Sequence, residues 1–121
     1  MATIINLTQH AATAEQMAAG VADLPAAQRA KLQQLLTFDA PPTAEEIRAR
    51  AETVALLAVG HEAAMLGGAL WLMGPLTAAL RAAGVRPVFA FTCREAEEQP
   101  QADGSVKKVA VFRHAGFVEA V

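Results

Sequence analysis

A chain of 121 residues is long enough for one domain with a real core and too short for two. Hydrophobic residues make up 54% and charged residues 18%, with a formal net charge of −2. That balance argues against sequence-independent binding of long DNA or RNA but leaves room for a small anionic ligand held by a few local cations, and the single Cys93 excludes an intramolecular disulfide framework and a cysteine-based zinc site.

Thr3-Ile4-Ile5-Asn6-Leu7 is β-branched and apolar, the pattern of a short buried strand. Thr13 with Gln16 makes a capping box for a first helix that Gly20 ends. Asp23 or Leu24 opens a second helix with Pro25 in its first turn, striped by Leu32, Leu35 and Leu36. After the loop Asp39-Ala40-Pro41-Pro42, Thr43 with Glu46 reads as another capping box, and Ile47, Ala51, Val54 and Leu57 share one face of the third helix. Three consecutive helices therefore follow the first strand.

Ala63 to Leu66 is a second short strand. Gly67-Gly68 turns the chain into a helix from about Ala69 to Ala83, and Pro75 implies either a kink or a helix that begins there. Trp71 and Met73 lie on its apolar side and are expected in the core. Arg86 to Thr92 is the clearest strand, so residues 63–92 form a βαβ unit with parallel pairing. Asp103-Gly104 then signals a two-residue type I′ turn in a long hairpin over residues 87–121, which would oppose Arg94 to Arg113 and Cys93 to His114. The hairpin tip is a candidate dimer arm or ligand lid.

Together these elements predict one α/β domain over residues 1–121: a three-layer, Rossmann-like domain with a parallel core sheet and an antiparallel C-terminal hairpin. A mostly helical domain with a peripheral hairpin is the alternative. No basic region precedes an apolar run, and the apolar stretch 63–80 is broken by Gly67, Gly68, Gly74 and Pro75, so a cytoplasmic protein with no membrane partner is expected. The surplus of alanine over charge predicts a homodimer that buries an apolar face.

Three polar clusters follow predicted strands, and parallel strands deliver their carboxyl ends to one rim. Thr8-Gln9-His10 follows the first strand, and His10 suits proton transfer near neutrality, although a solvated or helix-capping histidine looks the same in sequence. Gly67-Gly68 admits close backbone approach to an anion or simply makes a tight turn. Thr92-Cys93-Arg94 follows the third strand. Arg94 and Arg113 can fork onto phosphate or pair with Glu95, Glu97 or Glu98. His114 is the second candidate acid or base, while His61 reads as a surface cap and Lys107 and Lys108 as balance for the glutamates. Two histidines suffice to cleave an RNA phosphodiester through its own 2′-hydroxyl, so no cofactor is called for. A shared metal site of His10, His61 and His114 matches no common spacing.

In its layout, with Thr8-Gln9-His10 after one strand, Gly67-Gly68 after the next and Thr92-Cys93-Arg94 after a third, the chain resembles the CARF-like and ring-nuclease proteins of type III CRISPR systems. The long hairpin and the run of three helices depart from a simple CARF core. The resemblance implies binding of a cyclic oligoadenylate across a dimer two-fold, with metal-free cleavage in some members. The expectation is therefore a ring-nuclease-like enzyme of antiviral defence, with His10 and His114 catalytic and Thr8, Gln9, Gly67, Gly68, Thr92, Arg94 and Arg113 holding the nucleotide. A non-catalytic nucleotide sensor or adaptor, or an interaction protein of a mobile element that acts through its hairpin, would share the same sequence features.

Overall fold

The computed structural model describes residues 3–121. The elements are β1 (Ile4–Asn6), α1 (Ala14–Ala18), β2 (Val21–Asp23), α2 (Ala26–Leu36), α3 (Ala44–Leu56), β3 (Ala63–Met65), α4 (Leu70–Ala82), β4 (Arg86–Pro100) and β5 (Val106–Glu119). They build a mixed α/β fold around one five-stranded sheet of order β2-β1-β3-β4-β5. The first four strands are parallel, and β5 returns antiparallel to β4.

β1 is buried along its whole length because it lies between β2 and β3, which is why its sequence is continuously apolar apart from Asn6. The main core lies on one face of the sheet. There Ile5, Leu7, Ala64 and Leu66 meet Leu32 and Leu36 of α2, Ala51 and Val54 of α3, and Leu72, Leu76 and Leu80 of α4. The other face carries a smaller cluster of Ile4, Val21, Ala63, Met65 and Val88, against which Ala12, Ala90 and Phe117 pack. α1 itself contributes no buried residue.

The predicted capping box of Thr13 and Gln16 forms in both directions, at 3.1 and 3.0 Å. Thr43 accepts from the Glu46 amide at 3.1 Å, but the Glu46 carboxylate turns to Arg50 at 3.2 Å, so this cap is one-sided. α4 runs continuously through Pro75 and does not begin there. Its residue Met73 is buried as expected, whereas Trp71 is 46% exposed and is not a core residue.

Three expectations are corrected. Asp23 does not open a helix: it ends β2, a strand hidden in sequence because three residues carry no periodicity, and β2 separates α1 from α2. The hairpin tip is not a two-residue turn. Gln101 and Ser105 close a three-residue loop through a 2.8 Å backbone bond, with Gly104 at φ 86° supplying its left-handed position. The opposed pairs differ too. Val88 faces Glu119 and Phe91 faces Gly116, but a bulge after Phe91 shifts the register, so Thr92 faces His114, Cys93 faces Arg113 and Arg94 faces Phe112. Arg94 and Arg113 are not opposite each other. β5 is one strand with that single irregularity. No helix among the described residues is long and apolar enough to cross a membrane.

Candidate functional site

The chain leaves β1 toward β2 on one side and later returns to place β3 on the other, so the carboxyl ends of β1 and β3 flank a topological switch point. In open α/β sheets ligands enter the crevice there. Asn6 organises the β1 side. Although only 3% exposed, it bonds fully: its amide donates to the His10 carbonyl (2.7 Å) and to Asp23 Oδ1 (2.8 Å), and its oxygen accepts from the Thr8 amide (2.9 Å) and hydroxyl (2.8 Å). Asp23 also accepts from the Ala12 amide at 3.0 Å and sits 3.9 Å from Arg29. Burial raises the Asp23 pKa, but the Asn6 and Ala12 bonds and the Arg29 charge outweigh it and hold the carboxyl below its ordinary value. From the α2 side, Gln33 donates to the Gln9 carbonyl at 2.7 Å and Gln9 donates to the Leu36 carbonyl at 3.4 Å. The loop carrying Thr8, Gln9 and His10 is thus tied from both sides, with the His10 side chain exposed.

The β3 side meets it directly. A Cβ on Gly67 would lie 3.2 Å from Thr8 Cγ2, so glycine is what lets the two loops close up. Gly68 follows at φ 136°, and α4 then starts with no side-chain cap on its first turn. Its leading N–H groups and positive dipole end therefore face this rim without a capping acceptor.

β4 runs past its last partner in β3, Met65↔Val88, and rises above the rim together with β5. Because side chains alternate, the pairs Ala90↔Phe117, Thr92↔His114 and Arg94↔Phe112 share one face of this hairpin. Ala90 and Phe117 pack in the same cluster as Ala12, so this is the face on which the β1 loop lies. His114 packs edge-on against Phe117, with ring centroids 4.8 Å apart, and its Nδ1 is buried with no hydrogen-bond partner. Thr8, Gln9, His10, Gly67 and Gly68 thus gather at the switch point, and Thr92, Arg94 and His114 share the hairpin face beside it.

Arg113 does not join them. It lies on the opposite hairpin face, 3.8 Å from both Glu95 and Glu97. His61 caps the end of α3, its amide and ring nitrogen 3.1 and 3.2 Å from the Ala58 carbonyl. Among the described residues no three His, Cys, Asp or Glu side chains converge, so His10, His61 and His114 do not share one site. Lys108 faces Glu98 in the hairpin register, but Lys107 faces Gln99, and neither lysine forms an ion pair with a glutamate among the described residues. Sequence reasoning missed Asn6 and Asp23. The available signal was a lone polar residue in an apolar strand.

A protein-family model described as the uncharacterized protein MJ1673 family matches residues 2–118. No curated protein and no solved structure matches the chain.

Proposed function

We propose that this chain, which belongs to the uncharacterized protein MJ1673 family, is a Rossmann-like, metal-independent nuclease for a small oligoribonucleotide such as a cyclic oligoadenylate, akin to the CARF-like ring nucleases. The observation that carries this reading is the Gly67–Thr8 contact at the β1/β3 switch point, beside a hairpin face bearing Thr92, Arg94 and His114. The phosphodiester lies over the Gly67-Gly68 turn and the uncapped start of α4, where backbone N–H groups receive anions. Arg94 neutralises its charge, and Thr8, Gln9 and Thr92 bond its oxygens. One histidine, His10 or His114, takes the proton from a ribose 2′-hydroxyl. The freed oxygen attacks the adjacent phosphorus, the P–O5′ bond breaks, and the other histidine protonates the departing 5′ oxygen. The products are a 2′,3′-cyclic phosphate and a 5′-hydroxyl.

The protein acts in the cytoplasm as a homodimer. Its apolar contact is the groove of about 680 Å³ between α3 and α4, with Leu56 71% exposed and Ala78 and Ala82 beside it. Arg48 and Glu52, which form no ion pair within the described chain, line the same groove and can cross-pair about a two-fold.

The test is incubation with cyclic oligoadenylates in EDTA, reading linear products. His10→Ala and His114→Ala should each lower kcat by about 10²- to 10⁴-fold. Arg94→Ala should weaken affinity by roughly tenfold or more, while Arg113→Ala leaves it unchanged. Binding without turnover by the wild type would make the protein a nucleotide sensor or adaptor. Absence of both would overturn the nucleotide reading and move attention to the hairpin as a protein-binding surface, where Lys107 and Lys108 should matter and His10 should not.

A further inference from the structure

Beside this rim lies a cavity of about 510 Å³ lined by Phe38, Asp39, Pro41, Pro42, Ile47 and Trp71. We propose that it is a purine subsite, the seat of one adenine of the ligand, with Trp71 and Phe38 as its aromatic walls and Asp39 as acceptor for the exocyclic amine. The inference rests on the phosphate-binding reading of the rim and adds to it the base that the protein selects.

The walls are fixed in advance. Phe38 and Trp71 meet edge-to-face with ring centroids 4.6 Å apart and planes at 79°, so Trp71 keeps its exposed surface for a guest. Arg50 holds Phe38 from its other side, with the guanidinium 4.0 Å from the ring centroid. That guanidinium is itself pinned by the carbonyls of Gln34, Leu35 and Thr37 and by Glu46. An aromatic clamp built in this way needs no reordering when a flat base enters. Half-exposed tryptophan in the first turn of a helix is poorly explained by core packing, since Leu72, Met73 and Leu76 already fill that role.

The cavity is also within reach of the rim. Trp71 follows Gly68 by one short turn, and the bond from Gln9 to the Leu36 carbonyl joins the Phe38 segment to the β1 loop. A nucleotide with its phosphate over Gly67-Gly68 can therefore place its base between Trp71 and the Pro41-Pro42 loop. Base stacking on aromatic rings is sequence-tolerant in itself. The Asp39 carboxylate supplies a preference for adenine over uracil, because it accepts from adenine's exocyclic amine, where uracil carries a carbonyl oxygen that repels it.

Trp71 is the only tryptophan, so its emission reports this site alone. The full chain is titrated with AMP, UMP and ribose 5-phosphate while tryptophan fluorescence is followed. AMP should change the emission saturably, UMP more weakly, and ribose 5-phosphate not at all. Phe38→Ala removes the ring that fixes Trp71 in place and should weaken AMP binding by roughly five- to 150-fold, the range for loss of one stacking contact. Should that variant fail to fold, exposed Asp39→Ala, which removes the acceptor altogether, decides, with an expected loss of the AMP-over-UMP preference and an unchanged response to ribose 5-phosphate. The subsite is overturned if AMP leaves Trp71 emission unchanged, or if ribose 5-phosphate produces the same response. Oligoadenylate cleavage with a silent Trp71 would remove the subsite and spare the nuclease. An AMP-selective response without any cleavage would keep the subsite and remove the chemistry.

Discussion

Asn6 makes four hydrogen bonds to three residues, Thr8 and His10 of the following loop and Asp23 of β2, and the position tolerates few alternatives. Asn6→Ala leaves the Thr8 amide without its acceptor and takes one donor from the Asp23 carboxylate, so it should cost on the order of 1–3 kcal/mol in urea unfolding. It should also free the loop that carries His10. Asn6→Asp keeps the shape but sets a second carboxylate against Asp23, and its deficit should shrink as the pH falls and one of the pair protonates. Asp23 gives a related pH signature. Its pKa is lowered in the fold, so its contribution is complete above the ordinary carboxylate pKa of about 4 and is lost as the pH falls through the depressed native value. The stability gap between wild type and Asp23→Asn, followed by thermal unfolding against pH, should therefore be widest near neutrality and narrow in acid. A gap that widens in acid would contradict the bonding described for Asp23.

At the scale of elements, the hairpin is the least supported part of the molecule. Beyond Ala90 and Phe117, which pack on the smaller core cluster, no other strand pairs with it, and Val109 and Val111 lie half-buried on one face beside the Arg113, Glu95 and Glu97 side chains. The tip depends on Gly104 at φ 86°, and Asp103 reinforces it by accepting from the Ser105 amide and hydroxyl at 2.9 and 2.6 Å. A Cβ on Gly104 would touch nothing within 4 Å, so Gly104→Ala carries only the conformational cost of a left-handed residue, about 1–2 kcal/mol. Because the tip opens without disturbing the sheet, global unfolding should barely register the change. Amide hydrogen exchange across residues 97–109 should instead quicken by roughly five- to thirtyfold. The bulge after Phe91 matters more for function, since it decides which side chains share a face: it brings His114 opposite Thr92 and leaves Arg113 with the glutamates.

For the whole molecule, the two faces of the sheet are unequally covered. α2, α3 and α4 build the large core, and α3 and α4 still leave an apolar groove on their outer side. In the proposed dimer a two-fold brings Arg48 of each copy to Glu52 of the other. Arg48→Glu should then shift the protein to monomer in light scattering, Glu52→Arg should do the same, and the double exchange should restore the dimer. If the exchange variant remains monomeric while both single variants lose association, the groove is an interface without this pairing. If all three stay dimeric, the copies meet elsewhere.

What the residues alone determined is local. The Thr13 cap, the buried face of α3, the short strand β3, the long helix α4 and the existence of a C-terminal hairpin follow from side chains within a few positions of one another, which is where capping, periodicity and turn chemistry act. The rim clusters at Thr8-Gln9-His10 and Gly67-Gly68 were legible for the same reason, once parallel strands were assumed. The tertiary structure decided the rest through contacts distant in sequence. β2 exists because Val21 to Asp23 pair with β1, not because three residues prefer a strand. Asn6 is a latch because Asp23 arrives beside it from β2, seventeen positions along the chain. The Arg94–Arg113 pairing fails because the tip loop holds three residues where Asp103-Gly104 suggested two, which shifts every pair from the tip down to the bulge after Phe91 by one position. Trp71 is half-exposed because the α4 face that meets the sheet is filled by Leu72, Met73 and Leu76, a competition for space that hydrophobicity along a single chain does not record.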